Sequence, residues 1–339
     1  MEYVVSGPTV ILTSTLWFCI ILFASYGMGS TFLKNYFSRD NGPVCSLHAI
    51  FSLSLGLFSF SFWTFIIGSV GLLKLPCLLL FLLGGTALGL LDLRKHGTDN
   101  VRIFKDGFPL SLSDKLLIAL FLVLSFLTYL GAHAPATGND ALAYHLYFPK
   151  LYAERGALFF TPYHPRSLWP FMMEMLFTAG MLLQGTALAQ LLSWSTAILT
   201  ALAVPAAAAY FSLEKNVIRS AALLIICVPA IWMQSMDAYV DNAMMLYTFL
   251  SFIALWIWKE RNYSLHSGFI AGLFLSALVS IKYFTLFPAL ILTLLFGLPL
   301  LSKLKKIDHP ILAVSLPAFT ILLFSSFWFI RSWYYTGNP

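Results

Sequence analysis

Apolar residues gather into long runs of about twenty along this chain, broken by short polar or Pro/Gly-rich stretches, with no sustained alternation of apolar and polar positions. About 20 mostly apolar residues are needed for a helix to cross the hydrocarbon core of a bilayer. By that measure ten spans are predicted, at about 9–33, 46–71, 75–93, 116–134, 186–211, 218–235, 239–258, 267–282, 284–302 and 311–330. The expected fold class is therefore all-α, a polytopic transmembrane helix bundle. One interval interrupts the rhythm: residues 135–184 are too long for a turn and too polar at their start for a span.

Composition narrows the class further. Of 339 residues, 59% are hydrophobic and 10% charged, against roughly 25% charged in a typical soluble domain. Mean hydropathy is +0.83, and a soluble fold is excluded. The net charge of +6 is spread over loops, without the basic patch and interleaved aromatics of a nucleic-acid surface. Cys19, Cys45, Cys77 and Cys227 lie in or beside apolar segments without CxxC spacing, which indicates neither a disulfide framework nor a zinc site. Met1-Glu2-Tyr3 has no basic n-region and no small-residue cleavage site follows the first run, so the first span is expected to be retained.

Charge then orients the bundle, because cytoplasmic loops collect Lys and Arg. Alternate loops hold fourteen: Lys34, Arg39, Arg94, Lys95, Arg102, Lys105, Lys115, Lys215, Arg219, Lys259, Arg261, Lys303, Lys305 and Lys306. The opposite set holds six: Lys74, Lys150, Arg155, Arg166, Lys282 and Arg331. The expectation is a multi-pass protein of the plasma (inner) membrane with both termini and the long loop outside.

The loop carries the chemistry-bearing residues. In Thr137-Gly138-Asn139-Asp140-Ala141-Leu142-Ala143-Tyr144-His145, Asn139 or Asp140 suits a helix N-cap, and Asp140 and Tyr144 are i, i+4 neighbours. Pro149 is expected to end that helix, and Lys150 to Arg155 to form another stopped by Gly156. For Asp140 the choice lies between capping and a general base at the membrane surface, where desolvation raises a carboxylate toward working pH. His145 shares that role, binds a metal, or is simply a solvated or hydrogen-bonded histidine. Trp169 to Phe177, with Glu174 its single carboxylate, reads as an interfacial helix against lipid or a lipid-linked ligand, or as ordinary interfacial packing.

Further acidic and basic residues fall at predicted span ends. Asp241 enters the seventh span, where an intramembrane carboxylate is costly and functional by default. Asp237, one turn earlier on the same expected helical face, pairs with it to hold a cation or ammonium, unless a salt bridge to Lys282 takes that place. Lys282 and Arg331 end spans on the outer side, either by snorkelling or as binders of a phosphate group.

These pieces resemble the GT-C fold glycosyltransferases that use polyprenyl-phosphate sugars, near the protein O-mannosyltransferase and aminoarabinose transferase group. The resemblance is carried by Gly138 to Leu146 with Pro149-Lys150, by Glu174-Met175-Leu176, Ala238-Tyr239-Val240-Asp241 and Lys282-Tyr283, and by Arg331 to Pro339, in the family's order from about residue 116 to the end. It implies an inverting transfer of a sugar from a polyprenyl-phosphate donor to a lipid, glycan or protein acceptor on the outer face. It makes Asp140 the catalytic base, and assigns the departing phosphate to Lys282 and Arg331 with nearby cations or a divalent metal ion assisting. Asp241 orients the acceptor or a cation, and Tyr144, His145, Lys150, Glu174 and Asp237 complete the substrate-binding set. The acidic pair often found at the loop motif is here Asn139-Asp140, with one carboxylate, and four spans precede the loop where many relatives have one. The expected organisation is an N-terminal three-span region with a cytoplasmic basic loop, residues 1–115, and a GT-C-like membrane core, residues 116–339, containing the outer loop. A membrane transporter or lipid flippase, or a non-catalytic accessory subunit that binds lipid-linked sugar, is the alternative.

Overall fold

The computed structural model describes residues 7–37, 42–105 and 111–339, with side chains described throughout except at 42–44 and 96–105. Met1-Glu2-Tyr3 and Arg39 lie outside the described residues, as do the side chains of Arg102 and Lys105. Among the described residues every regular element is helical: α1 (Pro8–Phe32), α2 (Gly42–Ser69), α3 (Leu75–Lys105), α4 (Leu112–Gly131), α5 (Tyr147–Arg155), α6 (Met172–Leu183), α7 (Thr186–Tyr210), α8 (Lys215–Ile226), α9 (Pro229–Ser235), α10 (Asp241–Glu260), α11 (Leu265–Val279), α12 (Leu286–Lys303) and α13 (Pro310–Thr336). Helices satisfy their own backbone hydrogen bonds, which is what a chain this apolar requires in lipid. Eight of the described helices are long and apolar enough to cross a membrane, and the protein is a multi-pass helical bundle.

Two of the ten predicted spans take another form. The stretch 218–235 is not one helix but α8 and α9, bent by 52°. Pro229 has no N–H to continue the helix and pushes Val228 into extended backbone, φ −85° and ψ 102°. The indole of Trp232 donates to the Ile226 carbonyl at 2.8 Å, occupying an acceptor at the bend. The stretch 267–282 becomes α11, whose 15 residues reach about 22 Å, short of a hydrocarbon core of about 30 Å. Its residues from Ser267 to Val279, except Phe269, are buried.

The chain divides into two compact units, one running through Leu158 and resuming at Met173–Asn242, the other comprising Phe159–Met172 and Ala243–Pro339. In the first, α7 is the central element, packed against α1, α2, α4, α8 and α9. Its apolar window is 78% buried, against 6% for α4, whose leucines remain on the surface as a lipid-facing helix requires. At the start of α4, Ser111 and Asp114 form a capping box. Arg219 of α8 grips the same carboxylate from Nε at 2.7 Å and Nη2 at 3.1 Å.

Packing of α1 on α2 and α3 depends on small residues spaced four apart. A Cβ on Gly29 would fall 1.8 Å from the Ser52 carbonyl oxygen, and one on Gly56 would fall 1.7 Å from that of Ser25. On the other side a Cβ on Gly85 would come within 2.4 Å of the Ala24 oxygen. Ser25-xxx-Gly29, Ser52-xxx-Gly56 and Gly85-xxx-Gly89 are the small-xxx-small pattern by which membrane helices, lacking a hydrophobic drive between them, gain backbone-to-backbone contact. In the second unit α11 and α13 pack closely in the same manner, with Gly272 against Thr320 and Pro317.

Candidate functional site

The first unit holds most of the predicted site residues, four of them, Asp140, Tyr144, His145 and Lys150, on the segment following α4. Asp140 does not cap a helix through its side chain. Its Oδ2 instead accepts the Tyr144 hydroxyl at 2.8 Å. Residues Ala141–His145 form a π-helical turn, closed by the Leu146 N–H donating to the Ala141 carbonyl at 2.8 Å. Such widened turns are frequent at functional sites. Here the turn sets the rings of Tyr144 and His145 side by side, with centroids 4.0 Å apart.

Pro149 does not end a helix, contrary to the sequence expectation. It lies in the first turn of α5, where the amide N–H groups have no intrahelical partner and a missing one costs nothing. Gly156 closes α5 in the left-handed conformation at φ 72°. Lys150 lies 3.9 Å from Glu154 on the exposed side of α5, a surface ion pair of little energetic weight.

Glu174 departs furthest from expectation. The segment around it is not laid on the outside of the protein: Phe171 through Gly180 are buried, and Glu174 itself is 1% exposed. Its Oε1 lies 2.5 Å from Nδ1 of His145, which is equally buried. A buried carboxylate is costly unless it is paired and hydrogen-bonded, and His145 supplies that partner across 29 positions of sequence. Among the described residues neither the second nitrogen of His145, Nε2, nor the second oxygen of Glu174, Oε2, has a hydrogen-bond partner.

Asp237 and Asp241 do not share a helical face. Asp237 sits in the turn between α9 and α10, and Asp241 is the first residue of α10, where a negative charge complements the helix dipole. Oδ2 of Asp237 accepts backbone N–H groups from Thr137 at 2.9 Å and Gly138 at 2.5 Å, and Oδ1 accepts from Ala238 at 2.8 Å. The carboxylate thus clasps the start of the loop to the α9–α10 turn. A side chain at Gly138 would meet Tyr239 and the Asp237 carboxylate at 2.6 to 2.9 Å, so a larger residue there would have to displace both.

Tyr239, Gln190 and Ser193 belong to the same assembly. Tyr239 lies 6.3 Å from the His145 ring. Burial above all, then the charges of Asp237, Asp140 and Asp241, hold its phenol above the usual tyrosine value, opposed by a backbone hydrogen bond from Asp140. Gln190 donates to the carbonyls of Ala132, Ala134 and Met236 at 3.0 to 3.2 Å, and Ser193 donates to that of Tyr239 at 2.6 Å. The signal in the sequence is Gln190, an amide near the start of a span whose other polar residues are mainly serines and threonines.

The second unit holds Lys282 and Arg331. Lys282 lies over the ring of Trp169 at 6.0 Å, and Arg166 approaches the same ring at 5.6 Å. Arg331 donates from Nη2 to the Phe159 carbonyl at 3.0 Å. Among the described residues no three His, Cys, Asp or Glu side chains converge as ligands for a metal ion. Asp140, Tyr144, His145, Glu174, Asp237 and Tyr239 form one connected group in the first unit, with Asp140 partly exposed at its edge. No family model, curated protein or solved structure matches the chain.

Proposed function

We propose that the chain is an integral membrane glycosyltransferase of GT-C type, which moves a sugar from a polyprenyl-phosphate donor to an acceptor hydroxyl or phosphate on the outer face, with Asp140 as base. The observation that carries this reading is the state of Asp140. Its carboxylate is held by Tyr144 at one oxygen and partly exposed, on a loop flanked by membrane-length helices. In the inverting step the acceptor oxygen forms a bond to the anomeric carbon while the bond from that carbon to the donor's phosphate oxygen breaks. The acceptor proton passes to Asp140, and the bonding electrons leave with the polyprenyl phosphate.

The test uses the full chain in nanodiscs and the Asp140→Asn substitution. Release of polyprenyl phosphate from radiolabelled polyprenyl-phosphate mannose and from the aminoarabinose analogue is measured. A positioned base contributes about 10²–10⁴-fold, so the substitution is expected to cost at least about 100-fold; unchanged turnover removes Asp140 from the mechanism. A second reading, a transporter or lipid flippase, draws on the break between α8 and α9, because discontinuous helices line transporter sites. Movement of a labelled polyprenyl phosphate between leaflets in proteoliposomes, undiminished by Asp140→Asn, would favour it.

A further inference from the structure

A carboxylate and an imidazole that serve only to fill a core have no reason to leave polar atoms unpaired. Buried polar atoms without partners are few in native proteins, and each one calls for an explanation. Glu174 and His145 leave two, Oε2 and Nε2, while their other atoms meet at 2.5 Å with both side chains 1% exposed. The arrangement constrains where the proton lies. A hydrogen on Nδ1 is donated to the Glu174 carboxylate, whereas a hydrogen on Nε2 meets no acceptor among the described residues. The tautomer with its ring proton on Nδ1 is the one these contacts satisfy. Beside that ring, 4.0 Å away, stands Tyr144, whose hydroxyl holds the Asp140 carboxylate.

We propose that the Glu174–His145 pair is the positioning element of the outer-loop site: Glu174 locks the tautomer and orientation of His145, and His145 braces Tyr144 and through it the Asp140 carboxylate. This rests on the reading of Asp140 as the base. The logic is that of a carboxylate orienting a histidine in catalytic triads, where exchanging the carboxylate for an amide keeps the shape and releases the wrong tautomer. Glutamine at position 174 would likewise offer an N–H to Nδ1 and allow the ring proton to move to Nε2.

Glu174→Gln in the full chain separates this role from packing, because it preserves size and a hydrogen bond. Two quantities are measured: turnover on polyprenyl-phosphate mannose, and the tautomer of His145 by nitrogen NMR of the imidazole-labelled protein, its signal assigned with His145→Asn. The expected result is a single Nδ1–H tautomer in the wild type and a mixture in Glu174→Gln. It is accompanied by a fall in kcat of about 10–100-fold, the range found when the outer-shell partner of a metal-bound histidine is removed, with KM little changed. Wild-type turnover with an unmoved tautomer in Glu174→Gln overturns the proposal. Should that variant not fold, an Nε2–H tautomer in the wild type overturns it alone. If Asp140→Asn keeps full turnover, the reading of Asp140 falls, and the tautomer measurement still decides the inference about Glu174.

Discussion

Replacing Gly56 with alanine places a methyl carbon 1.7 Å from the Ser25 carbonyl oxygen, where real Cβ atoms stay beyond 3.0 Å. The obstacle is backbone, so no side chain can rotate away. Helices α1 and α2 must part locally by about 1.3 Å, and a gap of about 0.5–1 Å already forfeits a quarter to a half of the dispersion well at each contact. Overpacking of this kind costs about 1–3 kcal/mol and occasionally more, so Gly56→Ala is expected to cost about 3 kcal/mol. Gly29→Ala, blocked by the Ser52 carbonyl at 1.8 Å, should cost a similar amount. The two contacts are reciprocal across one interface. Once α1 and α2 have separated to admit one methyl, the second enters space already opened, and the double variant should be scarcely worse than either single one. The assay is SDS-driven unfolding in mixed micelles followed by tryptophan fluorescence on all four proteins. Additive losses in the double variant, or wild-type stability in Gly56→Ala, would refute the packing argument.

Other expectations rest on single contacts. Asp237→Asn leaves one carbonyl oxygen where two oxygens now accept three N–H groups. The loss should be about 1–3 kcal/mol, visible as faster amide exchange at Thr137 and Gly138; unchanged exchange would show that the clasp is not made in solution. Arg219→Lys keeps the charge but loses the two-pronged grip on Asp114, and with both side chains partly exposed the loss of stability should be small and should decline with added salt. Tyr239 is held in its neutral form, so its folded pKa lies above its unfolded one. Its contribution to stability is complete below the unfolded value near pH 10 and is lost as pH rises through the folded value. Alkaline unfolding should therefore be less steep in Tyr239→Phe, and an identical pH profile would count against the burial of this phenol.

The membrane-length helices were legible because lipid imposes one demand, a long apolar run, and α1 to α4, α7, α10, α12 and α13 meet it within a few residues of the predicted ends, except that α3 continues as helix to Lys105 and α13 to Thr336. Asp140 and Tyr144 were legible too, since i, i+4 spacing brings them together in a helical turn. Pro149 misled because the same residue that breaks a helix interior is harmless in its first turn. Pro229 was passed over inside a run whose hydropathy alone looked continuous. The join of His145 to Glu174, and of Asp237 to the amides of residues 137 and 138, spans 29 and about 100 positions. No periodicity encodes such pairs, which depend on how the helices pack. A sequence places a carboxylate in an apolar segment without revealing whether it faces lipid or a histidine.

The π-helical turn at Ala141–His145 has a consequence for how this loop tolerates change in length. Its closing bond runs five residues, from Leu146 back to Ala141, so the turn holds one residue more than an α-helix would between those points. Deleting Ala141, Leu142 or Ala143 restores ordinary helical register and rotates the neighbouring residues by about 100°, carrying His145 away from Glu174 without altering a single functional side chain. Insertions or deletions within 141–145 should therefore be as disabling as loss of the histidine itself, whereas substitutions at exposed Leu142 should pass almost unnoticed.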